Sequence, residues 1–147
     1  MPATYTVDAS VFVNAVNPRE AGYGDSHRIL ELMQENAVPI IVPTLVLPEV
    51  AAAISRGQGD PALARRFVSV LSEIPHLILV PMDTPLARRA ADLAARHRLR
   101  GGDAVYAAVA LRFGSVLVTL DEQLRERAAQ AVATRSPAQA LGEWRKT

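Results

Sequence analysis

Thr4-Tyr5-Thr6-Val7-Asp8-Ala9-Ser10-Val11-Phe12-Val13 is the stretch on which the reading of the fold turns. Thr4 to Val7 is rich in β-formers and predicts a short strand. Asp8 follows it at once, with apolar residues on both sides. Asn17-Pro18 and the glycines Gly22 and Gly24 then mark a loop. Beyond the loop, a helix is expected from about Ser26 to Asn36, with Ile29, Leu30, Leu32 and Met33 on its apolar side.

The same alternation continues to the end of the chain. Ile40, Ile41 and Val42 predict a second strand, stopped by Pro43. Thr44 can cap a helix running through Leu47, Val50, Ala51 and Ile54 to Gly57. Asp60-Pro61 opens another helix, with Asp as N-cap and Pro in the first turn. Leu77 to Val80 is a third strand, and Thr84-Pro85 begins a helix ending near His97. Gly101-Gly102 reads as a break before a helix from Asp103 to Phe113. Ser115 to Thr119 is a fourth strand, Asp121 to Ala128 a helix, and Ala131 to Thr134 a short last strand. Ser136 and Gln139 match a capping box that starts a final helix. Strands alternating with helices predict one α/β domain over residues 1–147, with a mostly parallel sheet of four or five strands.

Composition agrees with such a domain. Of the 147 residues, 50% are hydrophobic and only 5% aromatic, so the core must be built from Ala, Val, Leu and Ile. There is no cysteine, which excludes disulfides and thiolate metal sites and suits a reduced, cytoplasmic setting. Met1 to Thr6 lacks the basic and apolar regions of a signal peptide, and no apolar run is long enough to span a bilayer. The net charge of +1 does not advertise a polyanionic partner. Every base except Lys146 is arginine, which suits phosphate recognition and equally suits a GC-rich genome.

Four acids are placed where chemistry is expected. Open parallel sheets carry their sites beyond the carboxyl ends of the strands. Asp8 follows the first strand, Asp121 the fourth, and Glu49 lies early in the helix after the second; Asp103 begins a helix after the Gly-Gly turn. An acid at a helix start is commonly just a cap or a dipole partner worth ~0.3–1 kcal/mol. Here Asp8, Glu49 and Asp103 all stand among apolar residues, where carboxylates seldom occur unpartnered. No lysine is at hand and Arg100 is one base for four acids, so a divalent cation is the expected compensating charge. Oxygen-only ligands point to Mg²⁺ or Mn²⁺. His27, His76 and His97 lack ligand spacing.

These segments resemble the motifs of the PIN-domain nucleases, and within them the VapC-type toxins of toxin–antitoxin systems. The residues carrying the resemblance are Val7-Asp8-Ala9-Ser10-Val11-Phe12-Val13, Leu47-Pro48-Glu49-Val50, Gly102-Asp103-Ala104-Val105-Tyr106-Ala107-Ala108-Val109-Ala110 and Leu117-Val118-Thr119-Leu120-Asp121. They occur in family order across essentially the whole chain. The resemblance implies a three-layer α/β/α sandwich, a Mg²⁺ or Mn²⁺ site, and endonucleolytic cleavage of RNA. It implies Asp8 and Asp103 as direct metal ligands, with Glu49 and Asp121 completing the catalytic cluster. Ser10 and Thr119 match hydroxyl positions that orient the carboxylates, although local turn formation also explains them. A protein antitoxin and a homodimer are the implied partners. Arg56, Arg65, Arg66 and Arg100 are the basic residues nearest the acids in sequence and are the candidates for holding RNA; each also suits a solvated helix face. Tyr106 is expected to pack on its own helix, and Trp144 lies near the C-terminus.

Other α/β classes also place Asp after the first strand. A haloacid-dehalogenase-type phosphatase wants a second Asp where Ser10 stands, and a receiver domain wants a Lys late in the sheet. A binding module whose acidic pocket receives a partner's Arg is the remaining alternative.

Overall fold

A computed structural model describes residues 4–146, so the ends of the expected domain, residues 1–3 and 147, lie outside the described residues. Five strands form one parallel sheet in the order β3-β2-β1-β4-β5. They are β1 (Tyr5–Val7), β2 (Ile40–Pro43), β3 (Leu77–Val80), β4 (Val116–Val118) and β5 (Thr134–Arg135). The central register sets Tyr5 beside both Ile40 and Val116, and Val7 beside Val118. Every residue of β1 and β2 is buried, as expected for a parallel sheet covered on both faces.

Among the described residues, eight helices supply that cover. α1 (Ala9–Asn14), α2 (Tyr23–Glu35), α3 (Val46–Gln58), α4 (Pro61–Ser72) and the last helix, α8 (Pro137–Arg145), pack among themselves; α5 (Thr84–His97) packs on α6 (Gly101–Phe113), which lies on β1, β2 and β4. Right-handed crossovers carry α1–α4 to one face while the chain moves from β1 to β3. The return from β3 to β4 and on to β5 puts α5, α6 and α7 (Glu122–Ala128) on the other. The expected three-layer α/β/α sandwich is the result, with five strands.

The two helices of the second face differ as their sequences do. α5 shows polar residues outward and buries Leu86, Ala90 and Leu93. α6 is buried without interruption from Ala104 to Ala110, because its small side chains let the backbone lie close to the sheet. Enlarging Ala107, which has no exposed surface, to Leu would overpack that contact at a cost of about 1–3 kcal/mol.

Local signals explain most boundaries, and the exceptions have causes. The Ser136–Gln139 capping box is present in both directions, and Asp60 caps α4 through the Leu63 amide at 3.1 Å. α5 is capped by Asp83 through the Leu86 amide, displacing Thr84 into the helix. α2 starts at Tyr23, before Ser26, because Gly22 takes a left-handed conformation (φ 86°) that begins the helix early. α3 runs past Gly57 to Gln58 and is closed by Gly59 (φ 63°). Its N-cap is Leu45, with no side-chain cap from Thr44. Pro43 belongs to β2 as its last residue, opposite Val80. Gly101-Gly102 is the first turn of α6, not a break before it. The last strand lies at Thr134–Arg135, displaced from Ala131–Thr134 because the hydrogen bonds at Ala131 and Val132 still close the end of α7. α1 went unforeseen: six residues following a strand are too few for a helical period to show.

Candidate active site

The strand order reverses between β1 and β4, the place where open α/β sheets form a crevice. Asp8 leaves β1 at that point, and its amide donates to the Val118 carbonyl of β4 at 3.0 Å. Thr119 lies just past β4, fully buried, and its hydroxyl donates to Asp8 Oδ2 at 2.7 Å. The Ser10 hydroxyl donates to the same oxygen at 2.9 Å. Both hydroxyls serve twice: Thr119 Oγ1 accepts the Asp121 amide at 3.1 Å, and Ser10 Oγ accepts the Leu120 amide at 3.4 Å. Asp8 is nominally the N-cap of α1, yet its side chain makes no capping bond. One carboxylate is thus fixed by two neutral donors.

The other three acids converge on the same cleft of about 670 Å³. Glu49 comes from the first turn of α3 and accepts a 2.6 Å hydrogen bond from the Tyr106 hydroxyl of α6. Asp103 stands in the first turn of α6, three residues before Tyr106 and hence on the same side of the helix. Asp121 caps α7 through the Leu124 amide at 3.1 Å. The helix around Gly102 passes so close to Glu49 that a Cβ there would stand 3.1 Å from Oε2. A side chain there would press on Glu49, which would have to give by a few tenths of an ångström.

Electrostatics follow from the crowding. Burial raises the Glu49 carboxyl above its ordinary range; Tyr106 opposes this, while Asp8 and Asp103 add to it. Burial likewise raises Asp103, against the lowering influence of Arg100. The Tyr106 hydroxyl is pushed strongly upward by burial and by its bond to Glu49, so it stays a donor. Among the described residues, Arg100 is the one base seated on the acids: it donates to Asp103 Oδ2 at 3.0 Å and to Asp121 Oδ2 at 2.5 Å. Its own side chain is 70% exposed.

All six residues singled out in the sequence, Asp8, Glu49, Asp103, Asp121, Ser10 and Thr119, are therefore brought to one crevice or its wall. Arg56 lines it too, whereas Arg65 and Arg66 stand exposed on α4 and do not. None of the three histidines lines it. Two residues were missed. Tyr106 does more than pack on its helix, and its position three residues after Asp103 was the available signal. Glu20 reaches the cleft from the loop after α1, held by Asn14 Nδ2 at 2.9 Å. A polar Asn14 closing the apolar run Val11-Phe12-Val13 was the only hint of it.

The donor chemistry fits a hard divalent cation: Asp8, Glu49, Asp103, Asp121 and Glu20 share one crevice, with a single guanidinium paired to these carboxylates among the described residues. Asp8 Oδ1 accepts no hydrogen bond among the described residues, and Oδ2 is oriented without being neutralised. As placed, no three Asp, Glu or His side chains among the described residues form a ready group for a metal ion. Two of the four acids are instead engaged by Arg100. No helix of the described residues is long and apolar enough to cross a membrane.

A family profile described as PIN domain matches residues 5–130 of the chain. No curated protein matches it in sequence. Among solved structures, the chain is similar to VapC20 of Mycobacterium tuberculosis, a sarcin-ricin loop cleaving toxin. That match has 22% identity, covers 90% of this chain and 99% of that one, and has a TM-score of 0.72. It is similar to PAE2754 from Pyrobaculum aerophilum at 21% identity, with 99% and 97% of the two chains covered and a TM-score of 0.70. It also resembles VapBC2 from Rickettsia felis, solved bound to a DNA fragment from their promoter, at 15% identity, 90% and 98% coverage and a TM-score of 0.69. At these identities the likeness is one of fold.

Proposed function

The chain belongs to the PIN domain family, and from that premise we propose that it is a Mg²⁺- or Mn²⁺-dependent endoribonuclease acting as the toxin of a toxin–antitoxin pair in the cytoplasm. The observation that carries the reading is the convergence of Asp8, Glu49, Asp103 and Asp121 at the reversal of strand order, with Asp8 oriented by Ser10 and Thr119. Toxins and toxin–antitoxin complexes among the structural neighbours support the physiological half of it.

In this reading Asp8 and Asp103 hold the metal, and Asp121 and Glu49 complete the cluster. A bound Mg²⁺ or Mn²⁺ would acidify a water and offset charge on the phosphate. The chain's own residues do the rest. Ser10 and Thr119 fix the plane of the Asp8 carboxylate, and outer partners of this kind orient ligands. Glu49 has a raised proton affinity and a fixed donor on Oε1, which suits it to orient or accept a proton from water at Oε2. Arg100 sits beside the cluster with a largely exposed guanidinium, placed to release Asp103 and Asp121 and turn to phosphate. Hydrolysis by in-line attack leaves a 5′-phosphate and a 3′-hydroxyl and has no need of the ribose 2′-hydroxyl.

The test is a panel of transfer, ribosomal and messenger RNAs incubated with purified protein in Mn²⁺, in EDTA, and with Asp8→Asn. Metal-dependent cuts that vanish in the variant are expected. No cleavage of any RNA together with no calorimetric metal binding would favour an acidic pocket that only receives a partner's Arg. A homodimer is part of the same proposal, and sedimentation of the purified chain measures it.

A further inference from the structure

A second cleft, of about 460 Å³, lies where the end of α5 meets α7. It is lined by Arg96, His97 and Arg98 from α5 and its cap, and by Glu126 and Arg127 from α7. Three guanidinium groups face one carboxylate. Arg96 is paired with Asp92 on its own helix at 3.1 Å. Neither Arg98 nor Arg127 has a carboxylate partner among the described residues. Arg127 instead donates to the Arg98 carbonyl at 2.8 Å, which ties the two walls together.

Basic residues in the last turn of a helix complement its dipole. That accounts for Arg96 and His97. It accounts as well for Arg127, which stands in the last turn of α7, but not for Arg98, which lies past the end of α5 in a left-handed conformation (φ 54°). Glycine is favoured there, and a larger residue is strained. Arg98 stands exposed at the rim of the cleft.

The position relative to the acids gives the cleft its meaning. Arg98 is two residues from Arg100, which touches Asp103 and Asp121. Along α7, Asp121 and Arg127 are six residues apart, roughly 9 Å at the helical rise. That is a step of one or two nucleotides on an extended strand. Resting on the ribonuclease reading above, we infer that this cleft holds backbone phosphates of the RNA strand next to the bond being cut, with Arg98 and Arg127 as the contacts.

The experiment measures binding of fluorescent single-stranded RNA by anisotropy across a salt series, using full-length Asp8→Asn protein so that nothing is cut. Arg98→Glu is the main variant, its side chain having no hydrogen-bond partner among the described residues, and Arg127→Gln is the second. Each is checked by melting. Arg145→Glu, on α8 and outside the cleft, makes the same change in net charge. Arg98→Glu is expected to weaken RNA binding about tenfold, and to lower the salt slope by about 0.7 for each phosphate no longer neutralised. In the Asp8-bearing enzyme it should raise KM with kcat and Mn²⁺ affinity unchanged. An equal loss in Arg145→Glu, or unchanged affinity and slope in both Arg98→Glu and Arg127→Gln, overturns the inference. So does a loss of polyglutamate binding with RNA binding intact, which would assign the cleft to an acidic protein segment. If the parent neither binds nor cuts any RNA, the ribonuclease reading fails instead, a result distinguishable from all of these.

Discussion

The two sides of the acidic crevice are held in different ways. On one side Asp8 is gripped by the hydroxyls of Ser10 and Thr119; on the other, Asp103 and Asp121 are gripped by Arg100. A hydroxyl fixes a carboxylate's direction and leaves its charge intact, whereas a guanidinium cancels charge as it binds. The Asp8 side is therefore kept in the state a cation needs. The Arg100 side carries a cation of the protein's own, on an exposed and readily displaced side chain.

If that contrast is right, removing the uncompensated charge has the largest effect. Asp8→Asn keeps the shape and removes the charge, so RNA cleavage in Mn²⁺ should fall on the order of 10³-fold or more, the loss of several kcal/mol of charge stabilisation. The fold should hold or gain in Tm, since repulsion with Glu49 and Asp103 is relieved. Single-turnover cleavage and a melting curve measure both, and near-normal cleavage would remove Asp8 from the cluster.

Breaking the hydroxyl grip is the next test. Thr119→Val is nearly isosteric and fully buried, and it leaves Asp8 Oδ2 and the Asp121 amide each short of a partner. A stability loss of about 1–3 kcal/mol is expected. Metal affinity or activity should fall about 10–100-fold, as for other partners that orient ligands. Ser10→Ala should cost less, its second bond being 3.4 Å and only partly buried. Urea titration and Mn²⁺ calorimetry report the two quantities; a variant matching wild type in both would make the hydroxyls mere turn-formers.

These pairings mark where the sequence could be read and where it could not. Asp8 and Asp121 were legible because each follows a strand directly, and the carboxyl edge of a parallel sheet is a rule that needs no coordinates. The strand spans Leu77–Val80 and Ile40–Val42 were legible from short β-branched and leucine runs. What joins Thr119 to Asp8 is a different matter, since 111 residues separate them and only the order β1-β4 makes them neighbours. Tyr106 and Glu49 are 57 apart and meet because α3 and α6, on opposite faces of the sheet, both reach the same crevice. Arg100 was visible as a nearby base, but local spacing cannot say that it spans two acids 18 residues apart. Local physics shows which residues are available; topology decides which of them touch.

On the opposite side of the crevice, Arg100→Gln separates a placeholder from a ligand-builder. With the guanidinium gone, Asp103 and Asp121 lose their only basic partner among the described residues, so the metal-free protein should melt earlier. Mn²⁺ should then bind several-fold tighter, because nothing has to leave first, and the rise in Tm on adding Mn²⁺ should grow accordingly. Calorimetry showing weaker Mn²⁺ binding would mean that Arg100 helps to shape the metal site.

The smallest effect is a pH dependence, and its sign discriminates. Burial raises the Glu49 and Asp103 carboxyls in the folded state above their ordinary values of 4.5 and 3.8. Between the unfolded and folded values the native state binds more protons, so stability falls as pH rises through that window. The loss is complete once pH exceeds the folded values, and it is absent below the unfolded ones. Exposed ion pairs elsewhere act in the opposite direction, which makes the difference between proteins the useful measure. Glu49→Gln cannot ionise, so wild type minus variant isolates the carboxylate, and that difference should decline from about pH 4 upward. Mg²⁺ or Mn²⁺ should flatten the decline, because a bound cation favours the ionised form and removes the penalty. A difference that instead rose with pH would mean that Glu49 is held by positive charge in the native protein, and that the guanidinium's reach extends across the whole crevice.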